Sequence, residues 1–298
     1  MRAFAGVLGR RAVIRARGVD AFDVIQGTMT CDVARCGRAT YGAALTPNGK
    51  IVVDAFVAAL DGDATRGTGE YVLDVDAAKM DETMKWLRRM SLRKRCVVED
   101  AREAFDVVVS TRAEDGLAPD PRSRTASGVA LGFRGVAAKS SSAAREDATF
   151  LHASHRIALG VGEGYEELGG TFPLECNFDA LDAVSFSKGC YVGQENTARQ
   201  RFRGAVRKRV APVVLREGVG RERARELIGQ SVVNERGDRV GEVIASVDGA
   251  RALVRARVQF LRDALGDSDG VLRLRAGDHD ATFTVPSWWP ESYLASED

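Results

Sequence analysis

The sequence predicts an α+β protein that ends in a small antiparallel β-barrel, and two observations carry the prediction. From Ile51 to Ser110, apolar runs of strand composition flank one helical pattern in the order β-β-α-β-β, the order of a split βαβ unit of the ferredoxin-like sort. From Arg207 onward the texture is all β: "KRVAPVVL", "SVVNERG", "DRVGEVIASV", "ARALVRARVQFL", "VLRLRAG" and "ATFTVP" recur between Gly and Asp turns. Short strands at that spacing suggest a small antiparallel barrel or sandwich.

The elements follow in order. "RAVIRARG" alternates, which predicts a strand over Ala12 to Ala16. Five arginines precede the first acid, Asp20, a pattern that resembles a mitochondrial presequence; at most the first eight to ten residues are free for that role. Asp20 with Asp23 is a capping-box-like pair opening a short helix that Gly27 stops. "TPNGK" is a tight turn feeding "IVVDAFVAAL", a buried strand, and "YVLDV" is another. In "DAAKMDETMKWLRRM", Met80, Met84 and Leu87 recur at helical spacing, with Asp76 placed as N-cap. The basic run "RRMSLRKR" then reads as the helix end, where cations suit the dipole. "RCVVED" and "FDVVVS" complete the unit.

Residues 115 to 149 change character. They are rich in Ala, Ser, Gly, Pro and Arg, and read as an exposed linker with one short strand near "GVALGFRG" and a mobile "KSSSAARED". "FLHASHRIALG" is a short helix, "NERGD" a hairpin turn, and "PSWWP" a terminal staple packed on the barrel.

With 298 residues the chain has room for two or three structural units. A net charge of +1 gives none of the global basic bias of a dedicated nucleic-acid binder. No apolar run reaches the roughly 18–20 residues of a membrane helix. Five cysteines without regular spacing argue against a disulfide framework and for a reducing compartment. There is no CxxC pair, and three scattered histidines make no zinc site.

Chemistry concentrates in "SFSKGCYVGQENTAR". Gly189 and Gly193 let the backbone turn sharply or approach a ligand closely. Lys188 offers a point charge, Tyr191 an aromatic face, Gln194 a paired donor and acceptor, and Cys190 a thiol. The mix suits a flat polar heterocycle with an anionic tail; equally, it suits a structural turn entering a helix, with Glu195 favoured by the dipole. A nucleophilic cysteine needs a base, and no histidine is near in sequence; Lys188 is the group that would lower the thiol pKa. The tract Arg199, Arg201, Arg203, Arg207, Lys208 and Arg209 fits nucleic acid, a polyanionic tail, an acidic partner or a solvated strand edge. Asp54 sits in an apolar run, so it is paired, facing a cavity in an acid–base role, or at a strand end in solvent. Glu175 and Asn177 have the groups to bond a heterocycle edge, while Asn177 or Asp179 has those of a cap.

These residues resemble a known family. "KGCYVGQE" is similar to the K-G-C-[YF]-x-G-Q-E signature of YgfZ-type folate-binding proteins, whose mitochondrial members are iron–sulfur cluster assembly factors. "VIRARGVDAFDVIQGTMTCDV", "ALTPNGKIVVDAFV", "HRIALGVGEG" and "PLECNFDALDAVSF" resemble the family's other segments, so the likeness covers most of the chain and leans to mitochondrial or alphaproteobacterial members. Cys31 and Gly162 depart from the family's usual Asn and Pro.

The resemblance implies an aminomethyltransferase-like (T-protein) fold, three domains in a ring around a tetrahydrofolate. The divisions expected are a discontinuous first domain of residues 1–50 plus 140–205, a ferredoxin-like unit with linker at 51–139, and a barrel at 206–298. Carried over by position, Lys188, Gly189, Tyr191, Gly193, Gln194 and Glu195 belong to a folate site, with Glu175 at the pterin-binding acid. Asn177, Arg199 and Arg201 are added from the residue reading. Cys190 is the candidate reactive atom, catalytic or touching a cluster. Asp54 lies near the catalytic acid pair of aminomethyltransferases, but only one acid remains, which argues against methylene transfer.

The implied function is tetrahydrofolate binding, or that of a one-carbon derivative, in the maturation of iron–sulfur, notably [4Fe–4S], proteins. A transient iron–sulfur cluster, scaffold or carrier proteins and [4Fe–4S] client enzymes are the implied associates of a monomeric, non-membrane protein. Its place would be the mitochondrial matrix, or the cytoplasm of a bacterium. The alternatives are a folate-dependent aminomethyl- or methyltransferase and an RNA-associated factor in tRNA modification.

Overall fold

The computed structural model describes residues 3–35, 39–60, 69–123, 130–262 and 271–295. In the first half the strands are β1 (Ala5–Val7), β2 (Arg11–Arg17), β3 (Thr40–Leu45), β4 (Ile51–Ala59), β5 (Glu70–Asp76), β6 (Val97–Asp100), β7 (Phe105–Ser110), β8 (Ala118–Pro119) and β9 (Phe133–Ala138). They form a five-stranded sheet in the order β3-β4-β5-β2-β6 and a four-stranded sheet in the order β1-β7-β9-β8. β2 pairs along its whole length with β5, so the larger sheet joins strands from both sides of residue 50. The β-β-α-β-β order is present, but its last strand, β7, pairs with β1 and β9 in the other sheet. Sequence order alone does not fix which edge a strand takes.

Helix α1 (Ala21–Thr28) follows β2, and α2 (Met80–Met90) follows β5. Both cover one face of the five-stranded sheet. Phe22, Ile25, Met80, Met84 and Leu87 bury there with Ile14, Leu73 and Val98, the i, i+4, i+7 stripe expected of an amphipathic helix. Two caps differ from expectation. Asp76 accepts from Ala78 N within a 3-10 turn over Ala77–Lys79 that precedes α2. Asp20 does not cap α1 with its side chain, which instead accepts from the Arg95 amide at 2.7 Å. Gly27 does not stop α1, which runs on to Thr28.

The expected linker is structured where it is described. β9 is a full strand against β7. "KSSS", read as mobile, forms α3 (Lys139–Ser142), and Ser142 Oγ donates to Asp106 at 2.5 Å. α4 (Thr149–Ala158) and α5 (Tyr165–Leu168) lead to a 3-10 turn at Pro173–Cys176, and α6 (Gln194–Arg203) leads into the barrel.

The barrel is closed, in the order β10-β13-β12-β11-β14-β15. Its strands are β10 (Lys208–Leu215), β11 (Ser231–Asn234), β12 (Arg239–Ala245), β13 (Arg251–Arg257), β14 (Val271–Ala276) and β15 (His279–Thr284), with the short α7 (Val258–Leu261) after β13. Closure removes the exposed sheet edge. The barrel core is continuous with Tyr41, Phe56, Ile157, Phe178 and Tyr191 of the part that precedes it. Trp288 and Trp289 close it as the expected staple, and Trp288 Nε1 donates to the Leu159 carbonyl at 2.8 Å.

Candidate functional site

Residues 183–193 lie along the end of α1 and the turn after it. Thr30 Oγ1 donates to the Ala183 carbonyl at 2.6 Å, and Ser185 N donates to the Thr30 carbonyl at 2.9 Å. Val192 N donates to the Gly27 carbonyl at 3.2 Å. Between these points the Lys188 side chain turns inward. Its ammonium donates to the carbonyls of Gln26, Met29 and Cys31 at 2.5, 2.8 and 2.8 Å. A cation there meets the negative end of a helix and satisfies carbonyls that the helix leaves unpaired. Burial lowers its pKa to about 8, with Cys31 and Asp32 opposing the shift. Lys188 is therefore not a charge free to meet a ligand, nor one shown to activate the thiol.

Tyr191 is buried in the core under Lys188, whose Nζ lies 5.1 Å from its ring centre. It presents no open aromatic face, and burial raises its pKa to about 12. Gln194 Oε1 accepts from the Tyr191 amide at 3.1 Å, so this side chain also serves the turn. Gly193 is the left-handed residue before α6, at φ 81°. Gly189 is different: a Cβ there would meet nothing within 4 Å. Glu195 is exposed in the first turn of α6, as the dipole favours.

Cys190 is exposed, whereas Cys31 and Cys176 are buried and Cys96 is half-buried; Cys36 lies outside the described residues. Beside the thiol loop, Phe186 and Phe202 stack edge to face at 5.8 Å, and the Arg201 guanidinium lies 5.5 Å from the Phe186 ring. Arg199, Arg201 and Arg203 face solvent on α6, and Arg201 reaches Asp179 only at 3.9 Å. The basic tract divides at Arg209, which is buried and pairs with Asp179 at 2.8 Å under the Tyr293 ring. Asn177 takes the structural reading: it caps the 3-10 turn at φ 62°, and its amide donates to the Val210 carbonyl at 2.8 Å.

Glu175 keeps a half-buried carboxylate for which no hydrogen bond or ion pair is formed among the described residues. Burial raises its pKa, and Lys208, Arg255 and Lys50 nearby oppose the rise.

Asp54 is fully buried and paired. Its oxygens accept from Arg11 Nη1 at 3.2 Å, and one accepts from Tyr41 Oη at 3.1 Å. The pair belongs to a larger network that sequence reasoning missed. Arg11 also binds Asp74 at 2.6 Å; Asp74 binds Arg134 at 2.7 Å; and Arg134 and Arg122 share Glu163 at 3.0 and 2.9 Å. Arg122 closes on Asp120 at 2.8 Å. The Arg134 and Arg122 guanidiniums lie 3.7 and 4.7 Å from the Phe56 ring centre. Burial alone would raise the Glu163 carboxyl; Arg134 and Arg122 outweigh it and hold the group well below the carboxylate range. Three arginines thus answer four acids inside the protein. The only sequence signal was a charge inside each of two apolar strands, "IVVDAFV" and "YVLDV".

Among the described residues no group of three or more His, Cys, Asp or Glu side chains is placed to hold a metal ion. No described helix is long and apolar enough to cross a membrane.

These features define a class: a mixed α/β protein of aminomethyltransferase-like fold, closed by a β-barrel and carrying a single exposed thiol on a pinned loop among the described residues. The glycine cleavage system aminomethyltransferase T of Bartonella henselae superposes with a TM-score of 0.65, covering 97% of this chain and 87% of that one at 12% identity, which is a likeness of fold. Residues 207–291 match the CAF17 C-terminal beta-barrel domain.

The chain is similar to the mitochondrial iron–sulfur cluster assembly factors IBA57. It is 29% identical over 227 residues to the Mycosarcoma maydis homologue, covering 68% of this chain and 55% of the relative. It is 31% identical over 243 residues to that of Chaetomium globosum, covering 70% and 55%, and 28% identical over 314 residues to IBA57 of Mus musculus, covering 95% and 84%. The chain spans a little over half the length of the first two relatives. All three carry the IBA57 name rather than the YgfZ-type label that the signature suggested.

Proposed function

We propose that this chain is an iron–sulfur cluster assembly factor of the IBA57 kind, in which Cys190 is the point of contact with a cluster or with a partner's thiol. One observation carries the reading: the thiol is exposed, on a loop fixed at both ends, with no companion ligands among the described residues. One thiolate cannot hold a cluster alone, because [2Fe–2S] and [4Fe–4S] clusters are held by four protein thiolates in the common case. The remaining ligands must come from a partner, so the contact belongs to assembly or transfer rather than storage. The names of the relatives support the same class of work. The cluster is cargo, the partners are scaffold or carrier proteins and [4Fe–4S] clients, and the setting is the mitochondrial matrix, or the cytoplasm if the source is bacterial.

The folate part of the proposal rests on Glu175. Tetrahydrofolate offers a flat pterin edge of N–H donors and an anionic tail. A half-buried carboxylate without a hydrogen-bonding partner among the described residues, in the field of Lys208, Arg255 and Lys50, suits both ends of such a ligand. Lys188, Tyr191 and Gln194 are engaged within the protein and would act on the ligand only through the shape of the loop. Arg199 and Arg201 remain available to the tail. Isothermal titration with tetrahydrofolate tests this part: saturable binding weakened at least tenfold by Glu175→Gln supports it, and no heat at millimolar ligand rejects it.

The aminomethyltransferase alternative is disfavoured by Asp54, which is sealed against Arg11 and Tyr41. The RNA alternative has lost Arg209 to the interior. The main reading is tested by anaerobic reactivation of an apo-[4Fe–4S] enzyme such as aconitase in the presence of a cluster carrier; the protein is expected to raise the rate, and no stimulation rejects the proposal.

A further inference from the structure

We infer that Lys188 is the residue that positions Cys190: its ammonium pins the middle of the 185–192 loop to the end of α1, so that the thiol two residues on is held outward in one place. This inference rests on the reading of Cys190 as the working atom. The geometry comes from three independent facts. The loop's two ends are tied by backbone bonds, Ser185 to Thr30 and Val192 to Gly27. Between them, Phe186, Ser187, Gly189 and Cys190 are exposed and contribute little burial of their own. Within 186–190 only Lys188 reaches inward, with three carbonyls around one nitrogen, the full donor capacity of an ammonium, while Tyr191 beside the far tie is buried in the core.

A loop of eight residues with fixed ends still samples many conformations, and ordering it costs backbone entropy. Hydrogen bonds to a charged donor contribute more than neutral ones. Their loss would free residues 186–190 while leaving Tyr191, the barrel and the five-stranded sheet in place. Gly189, unconstrained by packing, is where that freedom would appear first. Lys188 touches neither cargo nor partner in this account; it acts through the loop.

Hydrogen exchange read by mass spectrometry tests the clamp without iron, folate or partner. In the wild-type protein, amides 185 and 192 are expected to exchange as slowly as those of α1. Fast exchange there overturns the inference even if no variant folds. Lys188→Met keeps the stem and removes the charge; it is expected to speed exchange of 186–190 at least tenfold, with barrel amides unchanged as the folding control. Unchanged loop exchange overturns the clamp. In aconitase reactivation the same variant is expected to lose at least fivefold in rate at saturating carrier, although its thiol still reacts with iodoacetamide. A looser loop with full reactivation overturns the positioning role. If Cys190→Ser reactivates normally, the reading of the site fails instead, and the exchange data still report on the clamp.

Discussion

Gly193 and Thr46 approach so closely that a Cβ on Gly193 would lie 2.4 Å from the Thr46 carbonyl oxygen. The contact is between the "TPNGK" turn and the start of α6. On the other side, a Cβ on Gly49 would stand 2.8 Å from Asn196 Cβ, and Asn196 donates to the Asn48 carbonyl at 2.7 Å. Two glycines, both at positive φ, make the approach possible. The result is a fixed direction for α6 and for the loop that precedes it.

Gly193→Ala therefore faces both left-handed strain and a backbone clash. It is expected to cost roughly 1–3 kcal/mol of stability, measurable as a lower urea midpoint. Gly189→Ala is expected to leave the midpoint unchanged, since nothing lies within 4 Å of its Cβ. Equal effects of the two would show that the approach to Thr46 is not what selects glycine at 193.

The buried charge network should be intolerant of single deletions. Arg134→Met leaves Asp74 and Glu163 each short of a cation in the interior, and breaking such a pair costs about 3–5 kcal/mol. Chemical denaturation of this variant is expected to show that loss. A change below about 1 kcal/mol would mean that the remaining arginines re-pair.

Glu175 gives a pH dependence whose sign is fixed. Burial raises its folded pKa above the unfolded value of 4.5, so the folded state holds the proton longer. The stability it contributes is fully present below pH 4.5 and is lost as pH rises through the folded value. Glu175→Gln removes the ionisable group. Relative to wild type, the variant is expected to gain stability as pH rises from 4 to 7, with thermal unfolding as the measurement. A constant difference across that range would place the carboxylate in an environment as wet as the unfolded chain.

Much of the fold was legible because its signals are local. Strand alternation in "RAVIRAR", the helical stripe Met80–Met84–Leu87 and the short strands after Arg207 each needed only neighbouring residues. Pairing partners were not local. Nothing within "FDVVVS" says that it joins β1 rather than β6, and the short strand expected near "GVALGFRG" carried no sign that it would pair with β7. The site followed the same rule. The signature located the Cys190 loop, but whether Lys188 points outward depends on carbonyls more than 150 residues away in sequence. Asp54 was visible as an anomaly in an apolar run, while Arg122, Arg134 and Glu163 join its network only through the fold.

The central claim is that the exposed thiol does the work. Anaerobic reactivation of apo-aconitase with a loaded cluster carrier, comparing wild type with Cys190→Ser, tests it directly. The serine variant changes one exposed atom and should leave the unfolding free energy within about 0.5 kcal/mol of wild type. The account predicts a fall of at least tenfold in reactivation rate with the fold intact. A variant that reactivates aconitase as fast as wild type would contradict it and leave Cys190 a surface residue of the turn.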